Sequence, residues 1–111
     1  MKLWIDDVRH PPKGYAWARS VNEAITMIKI REDWSGFPAP CSDAEPVFPF
    51  ELIDIDHDAG EYACDGGDYI KVLDWLEETG RKYPIRVHSM NPVGVQKMLT
   101  ICNKNNWIIV R

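Results

Sequence analysis

Three short apolar stretches of this sequence each end in side chains that can do chemistry. Two carboxylates follow the first stretch, an acid-histidine-acid triplet follows the second, and a histidine with a serine follows the third. In chain order these residues are Asp6, Asp7, Asp56, His57, Asp58, His88 and Ser89. Carboxylates are ligands of hard cations such as Mg²⁺ and Mn²⁺, and imidazole gains or loses a proton near neutral pH. The pattern therefore predicts a site that binds a divalent cation and transfers protons.

The elements that would carry these residues alternate between strand and helix. Runs of apolar, β-branched and aromatic residues predict five strands, and apolar residues at helical spacing predict three helices among them. The first helix follows a capping box formed by Ser20 and Glu23, the second ends at Gly80, and the third begins at Asn91 and Pro92. The strands are expected at residues 2–5, 15–18, 50–55, 85–88 and 107–110.

This alternation predicts one α/β domain over residues 1–111, a three-layer sandwich in which helices cover both faces of a five-stranded parallel sheet. The prolines between residues 34 and 50 forbid regular structure, so the 34–50 segment is expected to be a surface loop or an insertion. In an open parallel sheet, ligands bind beyond the carboxyl ends of the strands. The candidate side chains all follow such an end. Gathered there, uncompensated carboxylates would repel one another, and a bound cation would relieve the repulsion.

Composition limits the kinds of partner. The formal net charge is −4 and no run of lysine or arginine occurs, so an extended nucleic-acid-binding surface is not expected. A small phosphate ester or an RNA end remains a suitable ligand. The cysteines, Cys41, Cys64 and Cys102, show no C-x-x-C spacing, and the N-terminus lacks a secretory pattern, so free thiols in a cytoplasmic protein are expected. No apolar segment approaches membrane-spanning length, so no membrane partner is expected.

Each of these carboxylates and histidines has two interpretations, a chemical role and a simpler structural role. Asp6, Asp7 and Asp56 are the expected ligands of Mg²⁺ or Mn²⁺, although an acid pair can also be a solvated turn. His57 and His88 are the expected acid and base, although either one alone could be a structural histidine. If the histidines bind the metal instead, Zn²⁺ becomes a suitable ion.

The remaining candidates also carry two interpretations each. Asp58 either takes part in the chemistry or caps the turn that follows it. Arg9 either forms a fork to a phosphate or pairs with a nearby acid. Ser89 and Asn91 precede a predicted helix, where unpaired backbone N–H groups and the helix dipole favour an anion.

Four motifs together resemble those of a known family. They are L-W-I-D-D-V-R at residues 3–9, the Pro11-Pro12 loop, I-D-H-D-A-G at 55–60 and V-H-S-M-N-P-V-G at 87–94. The acid pair, the acid after the third strand and the serine after the fourth are similar to those of a response-regulator receiver domain. More narrowly, the set resembles the cyclic-phosphate processing receiver domain family. The resemblance implies a receiver-like (flavodoxin-like) fold in which a Pro-rich loop replaces the first helix.

The same resemblance implies a metal-dependent phosphoesterase acting on cyclic phosphates, with 2′,3′-cyclic phosphate ends of RNA or nucleotides as expected substrates. An ordinary receiver carries a lysine after its fifth strand, whereas this sequence ends Ile109-Val110-Arg111. A signalling receiver, or a module that binds phosphate without catalysis, is therefore the alternative. The expected catalytic residues are Asp56, His57, His88 and Asp58, and the expected phosphate-binding residues are Arg9, Ser89 and Asn91.

Overall fold

The computed structural model describes residues 1–35 and 48–111. In these ranges, short parallel strands alternate with helices. The elements are β1 (Lys2–Ile5), β2 (Tyr15–Ala18), α1 (Val21–Asp33), β3 (Ile53–Ile55), the 3-10 helix Gly60–Cys64, α2 (Ile70–Glu78), β4 (Ile85–Val87) and α3 (Pro92–Lys104). The sheet order is β2-β1-β3-β4, so β1 and β3 lie side by side at its centre. This is an α/β architecture of the receiver type.

One hydrophobic core lies between the sheet and the three α-helices of the described residues. Alternate strand residues point into it, because successive side chains of a strand face opposite sides of the sheet. The strands contribute fully buried residues, namely Leu3, Ile5, Ile53, Ile55 and Ile85. The helices contribute Val21, Ala24, Ile28, Val72, Leu73, Leu76, Met98 and Cys102. Since these strand residues share one face, all three helices cover that same face.

The opposite face carries polar and aromatic side chains and is crossed by the loop of residues 6–14. Trp4 of β1 and Trp17 of β2 pair in register and point to this side, since their strand neighbours point into the core. The Trp4 Nε1–H donates to the Arg9 carbonyl at 2.9 Å, and the Trp17 Nε1–H donates to the Asp6 carbonyl at 2.9 Å. The two indoles therefore anchor the loop to the sheet.

The prediction of helices on both faces is therefore corrected to helices on one face within the described residues. The connection from β1 to β2 is parallel and must cross the sheet. It contains no helix, in agreement with the Pro11-Pro12 pair, because proline lacks the N–H that a helix interior requires. An extended loop thus lies where a three-layer sandwich would place a helix.

The expected fifth strand is reduced to a single bridge. Ile109 pairs in parallel with Ile85, whose N–H donates to the Ile108 carbonyl and whose carbonyl accepts from Val110 N–H, both at 2.8 Å. Strand β4 has three residues, and successive residues of a strand direct their backbone N–H and C=O groups toward opposite neighbouring strands. Ile85 alone of this strand pairs on the outer side, so the sheet has four strands and not five.

Helix α1 begins where the sequence pattern predicts. Ser20 is the N-cap, and its Oγ accepts a hydrogen bond from the Glu23 N–H at 3.0 Å. The Asp65 carboxylate accepts from the Ser20 hydroxyl at 2.6 Å and from the Asn22 amide at 3.0 Å. Asp65 directly follows the 3-10 helix, so these bonds tie that helix to the start of α1.

Some expectations fall partly outside the described residues. Residues 36–47, which form most of the predicted 34–50 loop and include Cys41, lie outside them. Cys64 is exposed and Cys102 is buried, and both are free thiols. Within the described ranges, none of the helices is both long enough and apolar enough to cross a membrane.

Candidate metal and phosphate site

The predicted acid cluster forms at the carboxyl edge of the sheet. Asp6 and Asp7 follow β1 and Asp56 follows β3, and these two strands are neighbours. One carboxylate oxygen from each of the three residues lies within 4.8 Å of the other two. Asp6 is buried, whereas Asp7 and Asp56 are partly exposed. The sheet order therefore produces the convergence that the spacing along the chain predicts.

Asp6 is the most constrained of the three acids. Its side chain is 0% exposed, and its Oδ1 accepts from the Val8 and Arg9 N–H groups at 3.0 Å each. Its Oδ2 lies 2.9 Å from His88 Nε2. Burial opposes ionisation, but the N–H groups of Arg9 and Val8 and the His88 ring outweigh it and lower the pKa of Asp6. Asp6 is thus an ionised carboxylate held in one orientation.

Asp7 lies in a different environment. Its carboxylate packs against Gly60, where a Cβ would overlap Asp7 Oδ2. Burial raises the pKa of Asp7, and the neighbouring charges of Asp6 and Asp56 raise it further. The protein therefore leaves negative charge at Asp7 that its own cations do not compensate.

A buried charge network extends from Asp6 into the sheet. His88 lies between two carboxylates, with Nε2 at 2.9 Å from Asp6 Oδ2 and Nδ1 at 2.6 Å from Asp54 Oδ1. Asp54 Oδ2 in turn accepts from Arg86 Nη1 at 2.9 Å. Both ring nitrogens of His88 are therefore engaged by buried carboxylates, and Arg86 ends the network on the far side of Asp54.

The His88 ring is also fixed by packing. It stacks on the Trp4 indole with ring centroids 3.9 Å apart and planes within 6°. Its side chain is 8% exposed. The Arg9 Nη1 donates to the His88 carbonyl at 3.2 Å, which links the loop after β1 to the loop after β4. Arg9 is exposed and therefore keeps most of its guanidinium N–H groups at the surface.

His57 lies on the other side of the cluster, over the start of α3. Its Nδ1 is 2.8 Å from Asp58 Oδ1, and within the described residues its Nε2 has no hydrogen-bond partner. The ring packs against Gly94, where a Cβ would overlap it. The bond from His57 is the main cause that lowers the pKa of Asp58, opposed by slight burial and aided by the Asn91 amide. Asp58 is therefore an ionised acceptor, and His57 Nδ1 is the donor of this bond.

Ser89 and Asn91 build the turn that enters α3. Asn91 is the N-cap, with Oδ1 accepting from the Gly94 N–H at 3.0 Å, and its amide donates to the Asp58 carboxylate at 3.3 Å. Ser89 Oγ accepts from the Asn91 N–H at 3.1 Å. The Ser89 oxygen is used as an acceptor here, so its hydroxyl proton is available to an anion.

Asp54 and Arg86 were missed by the sequence analysis, although a signal existed. Each is a charged residue in the middle of an apolar strand, in Ile53-Asp54-Ile55 and Ile85-Arg86-Val87. Central parallel strands are normally apolar throughout, and a buried charge requires a partner. Asp54 and Arg86 are register partners across β3 and β4. Two opposite charges in adjacent predicted strands therefore indicated a buried pair.

The acid cluster fits a hard divalent cation. Three carboxylate oxygens at this separation are the donors that Mg²⁺ and Mn²⁺ prefer. Burial is the main cause that raises the pKa of Asp7, and the like charges of Asp6 and Asp56 raise it further, which a bound cation would offset. No histidine belongs to this cluster among the described residues, which favours Mg²⁺ or Mn²⁺ over Zn²⁺. Asp6, Asp7 and Asp56 are the residues that would hold the ion.

Comparison with known families agrees with this geometry. A family model described as the cyclic-phosphate processing receiver domain matches residues 1–104, from before β1 to the end of α3. Searches of curated proteins and of solved structures found no significant match. The matched range contains the acid cluster, both site histidines and the start of α3. The chain therefore belongs to the cyclic-phosphate processing receiver domain family.

Proposed function

We propose that this protein is a metal-dependent phosphoesterase that opens cyclic phosphates, with 2′,3′-cyclic phosphate ends of nucleotides or RNA as its substrates. The observation that supports this most is the convergence of Asp6, Asp7 and Asp56, together with the next residue in the chain, His57, whose Nε2 takes part in no hydrogen bond among the described residues. Opening a cyclic phosphate requires a base that activates water and an acid that protonates the leaving oxygen. A divalent ion at the acid cluster would supply neutralisation of the charge that develops on phosphorus.

His57 and Asp58 are the proton-transfer pair in this proposal. Asp58 accepts the Nδ1 proton, which fixes the tautomer in which Nε2 carries a lone pair. Nε2 can therefore take a proton from water as the new P–O bond forms. The resulting imidazolium is stabilised by Asp58. The sugar oxygen leaves on the opposite side of phosphorus from the attacking water, so it takes its proton from solvent as the old P–O bond breaks.

His88 receives a different role from the one that its position in the sequence suggested. Both of its ring nitrogens are engaged by buried carboxylates, and its side chain is 8% exposed. A ring in this setting has no free nitrogen for water or substrate. We therefore assign proton transfer to His57 and the orientation of Asp6 to His88.

The phosphate-binding groups lie on the two loops that border the cluster. Arg9 uses one N–H for the His88 carbonyl, and its remaining N–H groups can form a fork to two non-bridging oxygens. Ser89 can donate its hydroxyl proton to the same group. The N-terminus of α3 adds partial positive charge. These groups would orient the phosphate with its sugar oxygen away from His57, so that water can attack on the His57 side.

The test is release of phosphomonoester from 2′,3′-cyclic nucleotides and from an RNA oligonucleotide with a 2′,3′-cyclic end, in Mg²⁺, Mn²⁺ or Zn²⁺. Asp56→Asn and His57→Gln should each lose turnover while remaining folded. His10→Gln is the matched control, because the His10 ring packs on Trp17 and takes part in no side-chain hydrogen bond among the described residues. Turnover that survives in His57→Gln would refute the assigned chemistry, and absence of turnover with every metal in the wild type would refute the esterase.

A second function uses the same acids without hydrolysis. Asp56 follows the central strand β3 beside the acid pair, and one of its oxygens accepts only from the adjacent His57 N–H at 2.8 Å. A carboxylate in this position could accept a phosphoryl group from a small donor, or a metal there could hold a phosphate ligand. Incubation with acetyl phosphate distinguishes the cases, since a receiver would form a base-labile acyl phosphate that Asp56→Asn cannot form.

A further inference from the structure

We propose that Asp54 is a positioning residue for the metal centre, acting through His88 on Asp6. The proposal rests on the proposed function only in that Asp6 is taken as a metal ligand. Asp54 lies in β3 and touches neither Asp7 nor Asp56 through any hydrogen bond of the described residues. Its contacts are His88 on one oxygen and Arg86 on the other.

The sheet itself gives no reason for an acid at this position. Asp54 is 0% exposed and lies between Ile53 and Ile55, which are both in the core. Replacing a buried ion pair by apolar side chains is often neutral or stabilising, because desolvation offsets the attraction. A valine or isoleucine would suit a central parallel strand at least as well. What Asp54 supplies and an apolar residue cannot is an acceptor 2.6 Å from His88 Nδ1.

That acceptor completes the restraint on the His88 ring. The Trp4 indole fixes the plane of the ring by stacking at 3.9 Å. Stacking leaves the ring free to turn within its own plane, so hydrogen bonds must set that angle. The bond from Nδ1 to Asp54 does so, and it directs Nε2 to Asp6 Oδ2 at 2.9 Å. Arg86 donates to the second oxygen of Asp54 at 2.9 Å. This bond fixes the Asp54 carboxylate, which in turn orients the His88 ring.

The result is an Asp6 carboxylate whose two oxygens are both oriented before any ion binds. Oδ1 is held by two backbone N–H groups and Oδ2 by His88. Partners of metal ligands commonly act in this way, and their removal typically weakens metal binding about 10–100-fold.

Asp54→Asn is the decisive variant, because the amide keeps the shape but has only one acceptor oxygen, whereas Asp54 uses two, one toward His88 and one toward Arg86. Its affinity for Mn²⁺, measured by titration calorimetry on the full chain, should fall about tenfold. Glu32→Gln is the matched control. Glu32 also pairs with an arginine, Arg81, at 2.9 Å, and its side chain is 25% exposed, but it lies at the end of α1 and outside the network. Glu32→Gln should lower the melting temperature and leave the Mn²⁺ affinity unchanged.

A second readout needs no metal. In the wild type a proton in the 2.6 Å contact between His88 Nδ1 and Asp54 should give a slowly exchanging downfield NMR signal, which Asp54→Asn should lose or shift upfield. Equal Mn²⁺ affinity in Asp54→Asn and wild type, or a wild-type spectrum without that Nδ1 signal, would overturn the positioning role and leave the proposed function intact. A wild type that binds no Mn²⁺ would overturn both.

Discussion

Gly60 lies directly against Asp7, and the backbone of Gly60 has a φ of +56°. A Cβ at this position would overlap Asp7 Oδ2, so the acid cluster has its present shape only because residue 60 has no side chain. The left-handed φ is a second reason for glycine, since it strains residues that carry a Cβ. The turn that follows β3 is therefore built around the carboxylate that follows β1.

We expect Gly60→Ala to weaken both folding and metal binding. The left-handed conformation should cost roughly 1–2 kcal/mol of unfolding free energy, and the new methyl group should displace Asp7 from the cluster. Gly80→Ala separates the two effects, because Gly80 has a φ of +70° and nothing within 4 Å of an added Cβ. Both variants should show the stability loss in urea unfolding, and only Gly60→Ala should lose Mn²⁺ affinity. Equal Mn²⁺ binding by the two would contradict this account of Gly60.

We expect Gly94→Ala to reduce turnover through His57. Alanine favours a helix over glycine by about 1 kcal/mol, so an ordinary site in α3 would be stabilised by this change. Here the methyl group would overlap the His57 ring and push it away from the cluster. A misplacement of about 1 Å can cost on the order of a hundredfold in rate. The kcat for a 2′,3′-cyclic nucleotide should fall accordingly.

The control for Gly94→Ala is Lys97→Ala, an exposed position of the same helix. It should leave kcat unchanged. Mn²⁺ affinity should be the same in both variants, because His57 is not part of the acid cluster. A Gly94→Ala protein with wild-type kcat would show that the ring can move without loss, and it would count against His57 as the base.

Asp7→Asn should stabilise the metal-free protein at neutral pH. The pKa of Asp7 is raised by burial and then by the charges of Asp6 and Asp56, so the folded state holds this proton more tightly than the unfolded state. Stability from such a group is fully present below its ordinary pKa and is lost as pH rises through the raised folded pKa. An uncharged amide avoids that loss. The melting temperature without metal should rise, and its increase on adding Mn²⁺ should disappear.

Asp65→Asn should show the opposite pattern. Hydrogen bonds from Ser20 and Asn22 lower the pKa of Asp65, so its stability is present above its ordinary pKa and is lost as pH falls through the lowered folded pKa. At neutral pH this variant should melt lower than the wild type and keep the full Mn²⁺ response. A metal-free Asp7→Asn protein that melts below the wild type would show that the acid cluster is not electrostatically strained.

Sequence reasoning located the acid cluster but not the network behind it, and the difference has a physical basis. Asp6, Asp7 and Asp56 follow strand ends, and parallel strands bring such ends to one edge whatever the register. Asp54 and Arg86 meet only because β3 and β4 pair in one particular register. A pattern of residue types could likewise not distinguish the surroundings of the two histidines. His57 and His88 follow adjacent strands, yet side-chain packing leaves one with a free nitrogen and the other with none.

The layers of the fold show the same limit. The Pro11-Pro12 pair correctly predicted a loop after β1, since the ring of proline excludes a helix there. The pattern did not predict that the helices of the described residues cover one face of the sheet. The face that a crossover covers depends on where its helix packs. The indoles of Trp4 and Trp17 hold that loop by their N–H groups.

Arg9→Gln should weaken substrate binding without affecting the metal. Asp6 accepts from the backbone N–H of residue 9, which glutamine retains, so Mn²⁺ affinity should stay at the wild-type value. The guanidinium is lost, and a hydrogen bond to a charged group contributes about 1.5–3 kcal/mol, so KM for a cyclic nucleotide should rise at least about tenfold. Arg31→Gln is the matched control, because partly exposed Arg31 also donates to a backbone carbonyl, that of Phe48, at 2.9 Å. If KM is unchanged in both variants, Arg9 serves only to join the loops after β1 and β4, and the phosphate must be bound by the α3 N-terminus and Ser89 instead.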